Sequence, residues 1–437
     1  MYRYVFFAIG SCTLLGVLFF GVPELLAVRY DSTQLASVTP KSLKELPLEQ
    51  GSRQEVIVDT RPLVAHIPLP LPTKAIYMTS CVAGTKTFRD TLIALIDQTE
   101  INSIIIDIKD YSGTISFPPL HESWQNAWQA SGCGAPDMKG LVASLHAKGI
   151  YVIGRITVFQ DPFYVASHPE LSVKRADGVT VWKDRKGLAF IDVAAKPYWD
   201  HLIELSADAY NIGFDELNFD YVRYPSDGNM QDISFPNSYA TEYGKDKQAN
   251  LEAFFKYLNL KLDDTSLYAG YNHTNTGRAS STPYTSVDLF GMTTSNTDDL
   301  AIGQILERAA PYFDFVAPMV YPSHYPNGFI GLSNPNDYPY KVVNYAMQKG
   351  ADRMVASTTK VNGFLHERIG TSTPALYKKP VYQTSKLRTW IQDFDYGGDY
   401  DATDVRNQIQ ASIDAGVVSY MVWAPSNKYT REAFSAQ

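Results

Sequence analysis

The stretch GFDELNFDYVRYPSDG, residues 213–228, decides the fold because its side chains alternate in character along one predicted strand. Three polar side chains share one face and three apolar or aromatic ones share the other: Glu216, Asn218 and Asp220 against Leu217, Phe219 and Tyr221. Successive residues of a strand point to opposite faces. A polar face suits the interior of a closed barrel, where the last inward residue of a strand reaches the mouth.

Outward from this stretch, strand-like and helix-like segments alternate along the chain. Strands are predicted at 74–80, 103–110, 150–159, 214–222, 285–294, 313–321, 386–394 and 417–425, and helices at 87–100, 138–149, 196–213, 243–262, 298–310, 339–351 and 401–416. Strict alternation implies parallel strands with right-handed crossovers, and eight such units predict a (β/α)8 TIM barrel. A doubly wound open sheet is the alternative, which is weakened because no GxGxxG loop follows the first strand.

The N-terminus differs from the rest of the chain. MYRYVFFAIGSCTLLGVLFFGV, residues 1–22, has one Arg followed by an uncharged apolar run of about 18 residues, near the lower limit for spanning a bilayer. Residues 1–28 are therefore predicted to be a signal-anchor, with a signal peptide cleaved after a site such as Ala27 as the alternative. An extended stalk is predicted at 29–72 and a barrel at 73–437. The barrel would then be membrane-anchored outside the cytoplasm, or secreted.

Composition limits the partners. The 437 residues carry a formal net charge of −8, which argues against a nucleic-acid partner. The 29 Tyr and 6 Trp suit a core and also the flat apolar faces of sugars. No CxxC pair or His/Cys cluster predicts a metal site, and no cofactor is expected. Cys81 and Cys133 would form either one disulfide or two free thiols.

Polar residues at the predicted strand ends indicate the chemistry, because barrel enzymes place their sites there. Three carboxylates are candidate catalytic groups: Asp220, Asp288 and Asp393. The candidate substrate-binding residues are Asp107, Lys109, Arg155, Arg223, Tyr321, His324, Gln392, Trp423 and Asn427. Glycoside hydrolysis needs one protonated and one ionised carboxyl group, and this set suits it. No GxSxG or HExxH motif indicates a serine or zinc hydrolase.

Several of these residues also have structural interpretations. Glu216 and Asn218 lie deeper in strand 4 than Asp220 and would hold the barrel interior together by hydrogen bonds. Asp107 and Lys109 share a strand face and could form a buried ion pair. The ionised catalytic carboxylate would gain from a nearby cation, and Arg155 and Arg223 are both candidates.

Six segments in order, IIIDIKDYSGTISF, GRITVFQDP, GFDELNFDYVRYPSDG, VDLFGMTTSNTDDLAIGQ, APMVYPSHYPNGFIGL and LRTWIQDF, resemble the successive motifs of a family of glycosidase-like barrel proteins. That family is distantly similar to the α-amylase type, and the resemblance covers residues 74–430. It implies carboxylates at the ends of strands 4, 5 and 7: Asp220 as nucleophile, Asp288 as acid/base and Asp393 as stabiliser. The sequence departs from the α-amylase type, which has an Arg where Asn218 stands and a Glu on strand 5.

These observations together predict an exported glycoside hydrolase acting on a cell-surface or extracellular polysaccharide, with retention of anomeric configuration. A non-catalytic carbohydrate-binding or envelope-scaffold protein on the same barrel is the alternative, because one fold serves many functions. A second carboxyl group facing Asp220 across one open cleft would separate the two.

Overall fold

The computed structural model describes residues 61–274 and 281–436, and in this part of the chain eight parallel strands close into a barrel. They are β1 (Lys74–Met78), β2 (Ser103–Lys109), β3 (Tyr151–Thr157), β4 (Glu216–Asp220), β5 (Tyr284–Phe290), β6 (Phe315–Met319), β7 (Thr389–Gln392) and β8 (Tyr420–Trp423). Each strand pairs with its neighbours in sequence, and β8 pairs with β1. The predicted (β/α)8 TIM barrel is therefore confirmed.

A helix lies in each connection between consecutive strands. These helices are α1 (Lys86–Asp97), α2 (Met138–His146), α3 (Lys196–Asn211), α4 (Lys247–Leu262), α5 (Leu306–Ala309), α6 (Pro339–Val355) and α7 (Ala402–Asp414). Shorter helices lie in the loops at Ser80–Gly84, Gln125–Gln129, Pro162–Ser167 and Pro236–Tyr239. Side-chain caps begin several long helices: Asp137, Asp246 and Asp401 accept backbone hydrogens at the starts of α2, α4 and α7.

Helix α5 is much shorter than the sequence predicts. The pattern at 298–310 indicates a full helix, but only Leu306–Ala309 is helical. Leu300 and Ala301 have φ values of 52° and 57°, in the left-handed region, so a right-handed helix cannot continue through them. Gln304, just after this bend, donates from Nε2 to the carbonyl of Val222. The segment therefore braces the loop after β4.

Strand β4 turns its two faces as the alternation predicts. Leu217 and Phe219 are buried in the apolar layer between barrel and helices. The polar face points to the barrel interior, where Asn218 donates from Nδ2 to Ser286 at 3.0 Å and to Asp288 at 2.9 Å, both on the neighbouring strand β5. The last inward residue, Asp220, therefore reaches the carboxyl end of the barrel.

The lower interior holds a buried ion pair. Arg388 donates from Nη1 to Oε1 of Glu216 at 2.6 Å, and both side chains are fully buried. A buried ion pair adds little stability by itself, but removal of one partner leaves the other charge buried without compensation, which is strongly destabilising. The interpretation of Glu216 as a structural residue is confirmed.

Residues 61–72, the described part of the segment predicted as a stalk, lie against the end of the barrel at which the strands begin. Leu63–Val64 pairs in parallel with Asn272–His273, and the backbone nitrogen of Ile67 donates to Asp215, one residue before β4. The predicted signal-anchor lies outside the described residues. Within residues 61–274 and 281–436, none of the helices combines the length and apolar composition needed to cross a bilayer.

The loops after the strands build the opposite end. Long connections at 225–242 and 322–338 follow β4 and β6. A three-stranded antiparallel sheet of Thr358–Thr359, Glu367–Ile369 and Leu376–Lys378 is inserted between α6 and β7. Cys81, after β1, and Cys133, in the connection between β2 and α2, form a disulfide with a Cα–Cα distance of 4.4 Å. Of the two states that the sequence allows for these cysteines, the structure has the bonded one.

Candidate active site

A cavity of about 420 Å³ opens at the carboxyl end of the barrel, where sites of this fold lie. Its walls combine carboxylates, cations and aromatic rings. The lining residues are Arg155, Lys186, Asp220, Tyr221, Arg223, Asp288, Phe290, Met319, Tyr321, His324, Trp390, Phe394, Tyr396, Trp423 and Pro425. Two predicted catalytic carboxylates, Asp220 and Asp288, therefore share one cavity.

Asp288, on β5, is completely buried and its two oxygens differ. Oδ1 accepts hydrogen bonds from Asn218 Nδ2 at 2.9 Å and from Trp390 Nε1 at 2.7 Å. Oδ2 has no hydrogen-bond partner among the described residues. Burial, followed by the negative charge of Asp220, raises the pKa of the Asp288 carboxyl well above its usual range. The neutral acid would carry its proton on Oδ2, the oxygen that no donor occupies.

Asp220 is held by a cation instead. Arg155 donates from Nη2 to Oδ2 of Asp220 and from Nη1 to Oδ1 of Asp107 at 2.7 Å. Oδ1 of Asp220 accepts the backbone hydrogen of Tyr221 at 2.5 Å. The ion pair compensates the negative charge of Asp220. The two carboxyl groups on neighbouring strands thus differ, because Asp220 is paired with a guanidinium and Asp288 accepts hydrogen bonds only from the uncharged side chains of Asn218 and Trp390.

Arg155 is the centre of this network. Its second carboxylate, Asp107, also accepts a hydrogen bond from the hydroxyl of Tyr77. The guanidinium carbon lies 5.1 Å from the ring centroid of Trp423, which stacks on Tyr77 with a centroid distance of 4.1 Å. The nearby carboxylates Asp220 and Asp107 raise the pKa of Arg155 although burial opposes them. Arg155 therefore stays charged and fixes Asp220 in place.

Aromatic rings form the rest of the wall. Trp390 and Trp423 meet edge to face with centroids 5.8 Å apart, and Tyr321 meets His324 similarly at 5.0 Å. His324 is itself exposed to solvent at this wall of the cavity. Such rings offer flat apolar faces, with a few polar tips, for sugar rings to stack on.

Two smaller cavities adjoin the central one because they share lining residues with it. A cavity of about 370 Å³ shares Phe290, Met319, His324 and Tyr396. A cavity of about 290 Å³ shares Arg155, Tyr221, Trp423 and Pro425, and also contains Asp107. The three adjoining cavities form one cleft, and Asp220 and Asp288 line its central cavity.

A family model described as "Putative glycosyl hydrolase domain" matches residues 75–429. The chain belongs to this family. No curated protein matches the chain. A hypothetical protein from Ruminiclostridium thermocellum ATCC 27405 is 28% identical over 46% of this chain and 95% of its own, with a TM-score of 0.37.

The glycoside hydrolase domain of PgaB (BpsB) from Bordetella bronchiseptica is 14% identical, with a TM-score of 0.52, and the match covers 86% of this chain and 99% of that domain. The likeness to PgaB concerns the fold. Membership of the glycosyl hydrolase family confirms the enzyme class that the sequence predicts, a glycosidase.

In this glycosidase, the third predicted catalytic carboxylate lies apart from the other two. Asp393 follows β7, and its oxygens accept from the backbone nitrogen of Thr430 at 2.8 Å and from the Thr430 hydroxyl at 2.7 Å. It does not line the central cavity. Trp390 and Gln392 point inward from β7, so the next residue points out of the barrel. The two hydrogen bonds of Asp393 join the C-terminal segment to the end of β7.

Lys109 is also directed away from the cavity. A register shift between Asp107 and Lys109 interrupts the alternation of β2, so the two side chains part. Lys109 pairs with Asp161 at 3.0 Å, while Asp107 pairs with Arg155. The ion pair that the sequence suggests between Asp107 and Lys109 is therefore wrong, and each residue has another partner.

Two further residues that were predicted to bind substrate hold loops together and do not line the central cavity. Gln392 accepts from the Ser323 hydroxyl at 2.7 Å and so fixes the loop that carries His324. Asn427 accepts from the backbone nitrogen of Thr79 at 2.9 Å and joins the loops after β8 and β1. The remaining predicted residues, Arg155, Arg223, Tyr321, His324 and Trp423, line the central cavity, and Asp107 lines the smaller one.

Sequence reasoning missed several groups that the site uses. Tyr77, Tyr221 and Trp390 contact or adjoin the acidic groups, and Asn218 bonds directly to Asp288. Strand parity could have found Trp390, because it lies two residues before Gln392 on the same face of β7. No local signal places Tyr221, because its position depends on the bend after β4.

Proposed function

We propose that this glycosidase cleaves the glycosidic bonds of a polysaccharide with Asp288 as general acid/base and Asp220 as nucleophile. One observation carries the proposal. The two carboxyl groups line one cavity, burial raises the pKa of Asp288, and Asp220 is ion-paired with Arg155. Glycoside hydrolysis needs this division of roles.

In the first step, Oδ2 of Asp288 gives its proton to the glycosidic oxygen while an oxygen of Asp220 attacks the anomeric carbon. The bond between that carbon and the leaving oxygen breaks, and a glycosyl ester forms on Asp220. In the second step, Asp288, now ionised, takes a proton from water, and the hydroxide displaces Asp220. Asn218 and Trp390 stabilise the ionised form of Asp288 between the steps, because both donate to Oδ1.

The shape of the cleft supports a chain-like substrate. The two adjoining cavities extend the central one on different sides, along residues such as Tyr396 and Tyr111. Aromatic surfaces recur along the cleft, which suits several successive sugar units. The non-catalytic alternative loses support because a second carboxyl group does share the cavity with Asp220.

The proposal includes export, with the barrel anchored to a membrane or secreted. The apolar run in residues 5–22 supports this part, since it has the length and composition of an export segment. The Cys81–Cys133 disulfide supports it independently, because disulfides persist mainly in oxidising compartments. Fractionation of cells that express the full chain, with protease added from outside, tests it.

A hydrolysis assay of the full chain on a panel of cell-surface and extracellular polysaccharides tests the chemistry. Asp220→Asn should abolish turnover, and Asp288→Asn should lower it by about 10²–10⁴-fold, the usual contribution of a general acid. Asp393→Asn is the matched control, because Asp393 is also a buried carboxylate but lies outside the central cavity. Unchanged turnover in Asp220→Asn, or loss of turnover in all three, would contradict the assignment.

A further inference from the structure

The guanidinium of Arg223 lines the central cavity with part of its hydrogen-bonding capacity unused. The side chain is only 9% exposed. Nη1 donates to the Tyr224 carbonyl at 3.2 Å and to the Ser226 hydroxyl at 3.1 Å. The hydrogens on Nε and Nη2 have no acceptor among the described residues. Three of its five N–H groups are thus available to a bound molecule.

Arg223 also lacks a carboxylate partner. Within residues 61–274 and 281–436, no acidic side chain lies at ion-pair distance from it, although Asp220, Asp227 and Asp184 act on it from farther away. Asp220 is already paired with Arg155. The sequence offered both Arg155 and Arg223 as the cation beside Asp220, and in the structure Arg155 forms this ion pair.

A buried cation without an anion is costly, so its presence needs a cause. Burial lowers the pKa of Arg223, which shows the desolvation it suffers. The rings of Tyr221 and Phe290, each with its centroid 5.0 Å from the guanidinium carbon, offset only part of the cost. These rings hold the planar group in one orientation. A preformed, oriented fork of donors is what recognises a carboxylate, sulfate or phosphate.

We infer that Arg223 binds an acidic substituent of the polysaccharide, so that the substrate is an anionic glycan. The inference deepens the proposed function and rests on it. Arg223 and Asp220 line the same cavity three residues apart, so the acidic group would lie on a sugar unit at or beside the scissile bond. Exposed Lys186 lines the same cavity and adds positive charge at its rim. The formal net charge of the chain is −8, so the positive charges of Arg223 and Lys186 give this wall a local attraction for an anion that the chain as a whole lacks.

Anion binding can be tested without knowing the sugar. The melting temperature of the full chain would be measured with glucuronate, sulfate and phosphate, each against glucose and chloride at equal ionic strength. A bound anion stabilises the folded state by mass action. At least one of the three anions should raise the melting temperature above that measured with glucose or chloride. The anion with the largest effect shows which acidic group Arg223 prefers. Equal melting temperatures in all five conditions would overturn the inference.

Three variants assign the effect to Arg223. Arg223→Met keeps the length of the side chain and removes the charge, and Arg223→Lys keeps the charge without the planar fork. Arg175→Met is the control, because Arg175 is exposed and paired with Asp232 outside the cavity. We expect Arg223→Met to lose the anion shift, Arg223→Lys to keep part of it, and the control to keep it in full. A full shift in Arg223→Met would overturn the inference.

Turnover gives a second readout. On an acidic glycan that the enzyme cleaves, Arg223→Met should lower kcat/KM by about 10- to 100-fold, as for loss of a charged hydrogen bond. Its melting temperature without ligand should stay the same or rise, because an uncompensated buried charge is removed. A fall in stability with equal loss on neutral and acidic glycans would show a structural role. If no glycan is cleaved, the proposed function is wrong. The changes in melting temperature with added anions still test whether Arg223 binds an acidic group.

Discussion

The indole Nε1 of Trp390 donates a hydrogen bond of 2.7 Å to Oδ1 of Asp288. This contact joins β7 to β5 across the mouth of the barrel and orients the carboxyl group. Donors to a carboxylate stabilise its charged form, so Trp390 partly opposes the rise in pKa that burial causes. It therefore acts on the orientation of the acid and also on its proton affinity.

Trp390→Phe should lower kcat and move the basic limb of the pH profile to higher pH. Loss of the indole hydrogen removes support for the ionised carboxylate, so Asp288 keeps its proton to a higher pH. The pH dependence of kcat/KM, which reports groups of the free enzyme, measures the shift. A profile that falls in height without moving would mean that Trp390 acts only through packing.

Asp288→Asn should raise the stability of the protein, and the gain should grow with pH. The folded state keeps a proton on Asp288 that the unfolded chain loses above about pH 4. The wild type therefore loses stability as pH rises from about 4 through the folded pKa, and the Asn variant does not. Denaturant unfolding at pH 4, 5.5 and 7 measures the difference. A difference that is constant with pH would show that the Asp288 pKa is not raised.

Arg155→Met should destabilise the protein by about 3–5 kcal/mol, as expected when one partner of a buried ion pair is removed. Asp107 and Asp220 would both lose their cation. The double variant Arg155→Met with Asp220→Asn should recover part of the loss, because one uncompensated carboxylate is then neutral. Equal unfolding free energies of the single and double variants would show that Arg155 does not compensate Asp220.

Replacement of Cys81 and Cys133 by Ser should lower the free energy of unfolding by about 4 kcal/mol. The disulfide closes a loop with a sequence separation of 52, and the loop-closure entropy of the unfolded chain sets this magnitude. Turnover should change less than stability, since neither cysteine lines the central cavity. A double-Ser variant as stable as the wild type would contradict the expected contribution.

The sequence predicts the barrel well because each strand can be recognised from the pattern of its own few residues. A short apolar run such as β2 alternates with a helical pattern such as α2, and only a parallel arrangement accommodates the repeat. The prediction for helix α5 also fails for a local reason. Residues such as Leu300, whose backbone is in the left-handed region, interrupt a sequence pattern that is typical of a helix.

The site is predicted less completely because it depends on whether each side chain points into the barrel or out of it. Asp220 and Asp288 end or nearly end their strands on the inward face, which sequence alternation can identify. Asp393 lies at a strand end as well, but it points outward to Thr430. Lys109 lies two residues after Asp107, so alternation predicts that both side chains share one face. The bulge between them turns the two side chains in different directions. Strand ends can thus be found by pattern, but the direction of a side chain near the end follows from alternation only where no bulge interrupts the strand.

Tyr221, directly after Asp220, has a φ of 52°, in the left-handed region. This bend lets adjacent side chains, Asp220 and Tyr221, line the same cavity, which the alternation of an extended strand forbids. The same bend brings Arg223 back to that wall. The turn at Tyr221 therefore helps to set the spacing between Asp220, the proposed nucleophile, and Arg223, the group inferred to bind the acidic substituent. Variation of this single turn would change reactivity and selectivity together.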